Sequence, residues 1–155
     1  MRYLLDTGVL LRLVNRNDSL HPQVRAAVRE LKRQRHSFVA GLQNMAEFWN
    51  VSTRPASARG GLGLTPDETL HRLRIIERAV TVLVDAADTY DRWRDVVVAQ
   101  GVRGVQVHDA RLAALMGSHS VTHLLTLNKV DFARYTEIVA VAPPDVVPSP
   151  ATPSP

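Results

Sequence analysis

The sequence predicts an α/β fold: one domain in three layers, with a mainly parallel central sheet flanked by helices. Three observations carry this reading. Short Val/Leu/Ile runs alternate with amphipathic stretches along the chain, the pattern of strand–crossover–strand units. The chain has 155 residues, which suits a single domain. Apolar residues make up 45%, enough for a core with helices on both sheet faces. No internal repeat interrupts the pattern.

"RYLLD" reads as a short buried strand, and "GVLLRLVN" as a helix after it. "HPQVRAAVRELKRQR" places Val24, Ala27, Val28 and Leu31 at helical spacing, with Pro22 near the start, where proline is tolerated. "HSFVAG" is a second strand ending at Gly41. "LQNMAEFWNVST" is a helix with an expected apolar stripe of Leu42, Met45, Ala46 and Trp49. Pro and Gly in "RPASARGGLGL" mark a loop. "TPDETLHRLRIIERA" opens on Thr65, Pro66, Asp67 and Glu68, a strong helix start. "VTVLV" is a β-branched strand. "DAADTYDRWRDVVVAQG" and "HDARLAALMG" are helices closing at Gly101 and Gly117. "VTHLLTLN" is a strand and "IVAVAPP" a last, edge strand. The domain spans 1–142, and 143–155 reads as a Pro-rich flexible tail.

Composition excludes several functions. There is no cysteine, so no disulfide framework, thiolate nucleophile or thiolate metal site is available. The six histidines are scattered without the helical pairing of a zinc site. No stretch reaches membrane-spanning length, and no signal-like segment opens the chain. A soluble cytoplasmic protein with no membrane partner is expected. The formal charge of +4 and pI near 10.1 allow a polyanionic partner.

The carboxylates carry the chemistry. In an open parallel sheet, ligands bind at the carboxyl ends of the strands. Asp6 ends the first strand; Thr126 and Asn128 end the "HLLT" strand, with Asp131 shortly after; Asp109 opens the helix "ARLAALMG"; Glu47 lies within "NMAEFW". Each acid also has a local explanation. Asp6, Asp109 and Asp131 could cap helices or turns, and Glu47 could be solvated or pair with Arg54. These explanations predict no common location. If the acids instead meet, they repel one another, and a divalent cation relieves the repulsion. All-oxygen ligands suit Mg²⁺, with Mn²⁺ possible. Such a site on a basic protein points to phosphate chemistry.

The stretches "YLLDTGVLL", "NMAEFWNV", "VHDARLAALM" and "LLTLNKVDFARY" resemble, in order and spacing, PIN-domain ribonucleases, and more closely the VapC-type toxins of bacterial toxin–antitoxin pairs. The resemblance covers about residues 2–141. It implies a three-layer PIN-like fold and a Mg²⁺-dependent endoribonuclease. It implies Asp6, Glu47, Asp109 and Asp131 as catalytic acids, with Asp6 and Asp109 the direct metal ligands. Thr7, Thr126 and Asn128 would support them from behind. One departure stands out: Asn128 occupies a position where many members carry Asp, which leaves the fourth ligand open between Asn128 and Asp131. Arg12, Arg54, Arg59 and Arg111, with Arg16, are candidate RNA contacts. The implied partners are an RNA substrate, a cognate VapB-like antitoxin and a second copy in a homodimer. A haloacid-dehalogenase phosphatase would need D-x-D, and Asp6-Thr7-Gly8 lacks the second acid. The remaining alternative is a catalytically inactive PIN-like RNA- or protein-binding module.

Overall fold

β1 (Arg2–Leu5) is short, and every side chain after Arg2 is buried, as a parallel strand covered on both faces requires. In the computed structural model, which describes residues 1–147, it is the middle strand of a five-stranded sheet ordered β3-β2-β1-β4-β5. The other strands are β2 (Ser37–Gly41), β3 (Thr81–Leu83), β4 (His123–Leu125) and β5 (Val139–Val141). All pairings are parallel, with Leu4 against Val39 on one side and Leu124 on the other. The chain moves outward to β3, returns, and continues from β4 to β5. The order therefore reverses between β1 and β4, a topological switch point where α/β sheets open a crevice.

Helices cover both faces. The side chains of α1 (Thr7–Val14), α2 (His21–Arg33), α3 (Leu42–Thr53) and α4 (Pro66–Glu77) pack with Tyr3, Leu5, Phe38, Ala40 and Leu125. Those of α5 (Thr89–Ala99) and α6 (Val107–Ser118) pack with Leu4, Val39, Leu83 and Leu124. Odd and even residues of β1 thus feed opposite cores, the period of two inherent in a strand. A 3₁₀ turn, Gly104–Gln106, leads into α6. Thr65 caps α4 through a reciprocal hydrogen-bond pair with Glu68, worth about 1 kcal/mol. Among the described residues no helix is long and apolar enough to cross a membrane.

Two expectations change. The buried face of α3 is Asn44, Met45, Phe48 and Ser52. Leu42 is 58% exposed, Ala46 is exposed and Trp49 half-buried. The stripe turns because Asn44 folds back to accept from the Gly41 N–H, which draws that side of the helix inward. The second change is at residue 143. Pro143–Val146 forms a short helix, α8, that packs on α2; its first turn tolerates proline, and Asp145 caps it by accepting from the Ala142 N–H. The rest of the expected tail, 148–155, lies outside the described residues.

The loop after α3 folds back along that helix. The N–H groups of Leu62, Gly63 and Leu64 donate to the carbonyls of Val51, Arg54 and Ser52. Gly63 takes a left-handed φ of 62° to make this turn, a conformation favouring glycine.

Candidate active site

Asp6 continues β1 by donating its N–H to the Leu125 carbonyl at 3.0 Å. It is also the N-cap of α1: Oδ1 accepts from the Thr7 N–H at 2.7 Å. The other oxygen is not idle. Oδ2 accepts from the buried Thr126 hydroxyl at 2.7 Å, and the Asn128 N–H in turn donates to Thr126 Oγ1. The carboxylate is thus clamped between the ends of β1 and β4, at the switch point.

Glu47 reaches the same edge from the second turn of α3. Its Oε2 accepts from the Thr7 hydroxyl at 2.6 Å, and its Oε1 from Gln43 Nε2 at 2.8 Å. It does not pair with Arg54. Asn44, fully buried, donates to Thr7 Oγ1 at 3.1 Å while accepting from the Gly41 N–H. Gln43 also donates to the His108 carbonyl and accepts from Arg111 Nη1. Asn44 and Gln43 were absent from the candidates read in the sequence. Their only signal there was two amides preceding an acid in an otherwise apolar helix.

Asp109 sits on the third residue of α6, behind the N-cap Gln106, so it is not itself the cap. Asp131 lies in the short helix α7 (Lys129–Phe132) and accepts from the Asn128 side-chain amide. Asn128 therefore contacts Asp131 as a neutral donor.

The electrostatics record how these groups meet. Burial is the main force raising the Asp6 carboxyl above the ordinary carboxylate range; hydrogen bonds from Thr126 and Thr7 oppose it, and the charges of Glu47 and Asp131 add to it. Asp109 is pushed up to about 6, first by burial, then by the charges of Asp131, Asp6 and Glu47. The charges of neighbouring carboxylates thus add to burial at both Asp6 and Asp109. Yet among the described residues no three His, Asp or Glu side chains are grouped closely enough to hold one metal ion directly. The two findings are compatible: charge repulsion reaches further than shared ligation, and Mg²⁺ commonly takes one or two carboxylates and keeps water for the rest.

The candidate arginines are divided. Arg111 borders the acids, held by Gln43 and by Asp85 Oδ2 at 2.8 Å. Arg12 is turned to the Gly8 carbonyl and Asp18. Arg54 caps the C-terminal end of α3, seven residues and about 10 Å along the helix from Glu47, and donates to the carbonyl of Arg59 in the loop that follows. Arg16 is exposed in the turn after α1.

Similar architecture occurs in solved toxin–antitoxin structures. The chain is similar to a structure of DNA-bound VapBC from Salmonella typhimurium, with TM-score 0.68, 14% identity, and coverage of 92% of this chain and 98% of that one. It is similar to VapBC2 from Rickettsia felis bound to a promoter DNA fragment, with TM-score 0.67, 14% identity and the same coverage. It is also similar to the Mycobacterium tuberculosis sarcin–ricin-loop-cleaving toxin VapC20, with TM-score 0.57, 18% identity, and coverage of 79% and 86%. At these identities the likeness is one of fold. No curated protein matches the sequence significantly. The PIN-domain family matches residues 3–138. With that span including Asp6, Glu47, Asp109 and Asp131, the chain belongs to the PIN-domain family.

Proposed function

We propose that this protein is a metal-dependent endoribonuclease toxin of the VapC type, held in check by a cognate VapB-like antitoxin. The observation that carries the reading is the clamping of Asp6 between the ends of β1 and β4 with Glu47 joined to it through Thr7, where the charges of Asp131, Asp6 and Glu47 add to burial in raising the Asp109 carboxyl. A fold retains such repulsion at a cost in stability, and a bound cation removes that cost.

The donor set fits a hard divalent ion. Asp6 and Asp109 are the proposed ligands of Mg²⁺ or Mn²⁺, with water in the remaining positions. When bound, the ion supplies an activated water and stabilises the charge that develops at the scissile phosphate. The chain's own groups do the rest. Thr126 and the Thr7 N–H hold the Asp6 carboxylate in one orientation, as supporting hydrogen bonds do for metal ligands. Thr7 and Gln43 hold both oxygens of Glu47. Asn128 aims Asp131. Glu47 and Asp131 complete the acidic rim that orients water toward phosphorus. Arg111 is the candidate nearest to a bound RNA strand, and Arg12, Arg54 and Arg59 are weaker candidates. Structural neighbours were solved as complexes with antitoxins, which supports an antitoxin partner. A homodimer and a cytoplasmic setting belong to the same proposal.

The test is cleavage of total RNA by purified protein with Mg²⁺ or EDTA, beside Asp6→Asn and Asp109→Asn. Cleavage that requires Mg²⁺ and both carboxylates is expected. Cleavage surviving EDTA or either substitution sinks the metal-nuclease reading. Binding without any cleavage would favour an inactive binding module.

A further inference from the structure

Next to the acids, where β3 ends on the same edge of the sheet, lies a cleft of about 280 Å³ lined by Asp85, Ala86, Thr89, Tyr90, Trp93 and Arg111. Its walls differ chemically from the acid cluster. The half-buried Trp93 is fixed by its indole N–H, which donates to the Val107 carbonyl at 3.3 Å. Tyr90 stands beside it with ring centroids 5.9 Å apart and planes inclined at 38°, and it is 64% exposed. On the polar wall, Asp85 Oδ2 accepts from Arg111. Among the described residues, no hydrogen bond reaches Asp85 Oδ1.

We infer that this cleft receives an unpaired nucleobase of the RNA, with Asp85 and Arg111 selecting guanine. The inference rests on the nuclease reading of the neighbouring acids. Flat aromatic walls stack with unpaired bases of any sequence; the polar wall then discriminates. Guanine's Watson–Crick edge runs acceptor, donor, donor: O6, N1–H, N2–H. Arg111 offers a donor beside the two acceptor oxygens of Asp85, which is the complementary order. Uracil's edge places a carbonyl on each side of its single N–H, and a carboxylate repels both. Position agrees as well. β3 is two strands from β1, about 10 Å away, so the base in the cleft belongs to a nucleotide near the one whose phosphate meets the acids. Arg111 also donates to Gln43, which donates to Glu47, so the polar wall and the acids share one hydrogen-bonded string.

Binding is measured by fluorescence anisotropy on the Asp109→Asn protein, to prevent cleavage. The probes are a labelled uridine hexanucleotide and the same hexanucleotide with one central guanosine. The guanosine probe should bind about tenfold more tightly and quench tryptophan emission. Tyr90→Ala should weaken it about tenfold, the usual effect of removing a stacking platform. Asp85→Asn should abolish the preference, bringing the guanosine and all-uridine probes to equal affinity. Thermal melts check that both variants stay folded. Equal affinity for the two probes overturns the inference. So does a Tyr90→Ala variant that binds normally, including one that instead dissociates a dimer on sedimentation, which would assign this surface to a second copy. A separate arm tests the underlying reading. If wild-type protein cuts RNA but Tyr90→Ala and Asp85→Asn leave the cut positions unchanged, only the cleft assignment falls. If wild-type protein cuts nothing with Mg²⁺, the nuclease reading falls.

Discussion

Removing one charge from the acid cluster should make the metal-free protein more stable. Asp109→Asn is the cleanest perturbation, because the amide keeps the carboxylate's shape. The Asp109 carboxyl stands at about 6 against an ordinary 3.8. Taken at face value, that difference amounts to about 3 kcal/mol. The group is partly exposed to solvent, so screening cuts the figure to about 1.5 kcal/mol. A negative charge in the first turn of α6 is itself favourable by about 0.3–1 kcal/mol, and asparagine forfeits that. Burial of the charge and repulsion by Asp131, Asp6 and Glu47 together win by a narrow margin, leaving a net gain of about 1 kcal/mol, or about 2–4 °C in Tm.

The pH dependence follows from the direction of the shift. A carboxyl raised in the folded state contributes its stability in full below the unfolded value of 3.8 and loses it as pH rises through about 6. The variant escapes this loss. Its advantage in EDTA should be full near pH 8, shrink below about pH 6 and vanish near pH 4. Urea unfolding followed by the fluorescence of Trp49 and Trp93 measures it. Added Mg²⁺ should reverse the order by stabilising wild type alone. A variant no more stable than wild type at pH 8 in EDTA, or a gain that does not fade toward pH 4, refutes the reading of Asp109 as a carboxylate strained by burial and its acidic neighbours.

Thr126→Val keeps the side chain's shape but removes the hydroxyl that donates to Asp6; RNA cleavage should fall about 10–100-fold, with about 1 kcal/mol lost in urea melts. Unchanged cleavage would show that Asp6 needs no such clamp. Asn44→Ala strands the buried Gly41 N–H and takes a donor from Thr7; thermal melts should show a loss of about 2–3 kcal/mol, and a smaller loss than 1 kcal/mol would mean water replaces the amide. At Gly61, an added Cβ would lie 2.3 Å from the Pro55 carbonyl oxygen and 2.6 Å from that of Arg54. Gly61→Ala should therefore peel the loop from α3, at a cost of about 1–3 kcal/mol, read as faster proteolysis between 55 and 64.

The parallel sheet was legible because its central strands carry short apolar runs such as Tyr3–Leu5 and Phe38–Ala40, as burial on both faces demands. Strand ends were less so: "VTVLV" contributes only Thr81–Leu83, since no side-chain rule marks where pairing stops. The helix after β2 was placed correctly but rotated wrongly. Periodicity ranks Leu42 and Ala46 above Asn44, and it cannot know that Asn44's amide is satisfied on both sides by Gly41 and Thr7. Asp6 could be read as a crevice residue because it follows a strand end, whereas Glu47 and Asp109 lie within helices, where periodicity marks no common location. Gln43 and Asp85 were not, since a polar residue aimed at a site looks in sequence like one aimed at water. Pro143 read as the start of a tail, yet its ring suits the first turn of α8.

The hydrogen-bonded string from Asp85 through Arg111, Gln43, Glu47 and Thr7 to Asn44 has an evolutionary consequence. A protein whose reading and cutting parts were separate could change targets by altering one wall. Here a mutation at Asp85 releases a guanidinium, which loosens an amide, which loosens a carboxylate of the acid cluster. If the cleft reads RNA and the acids cut it, as proposed, retargeting passes through intermediates that cut poorly. Compensation at Gln43, the joint between the halves, is the shortest route around them.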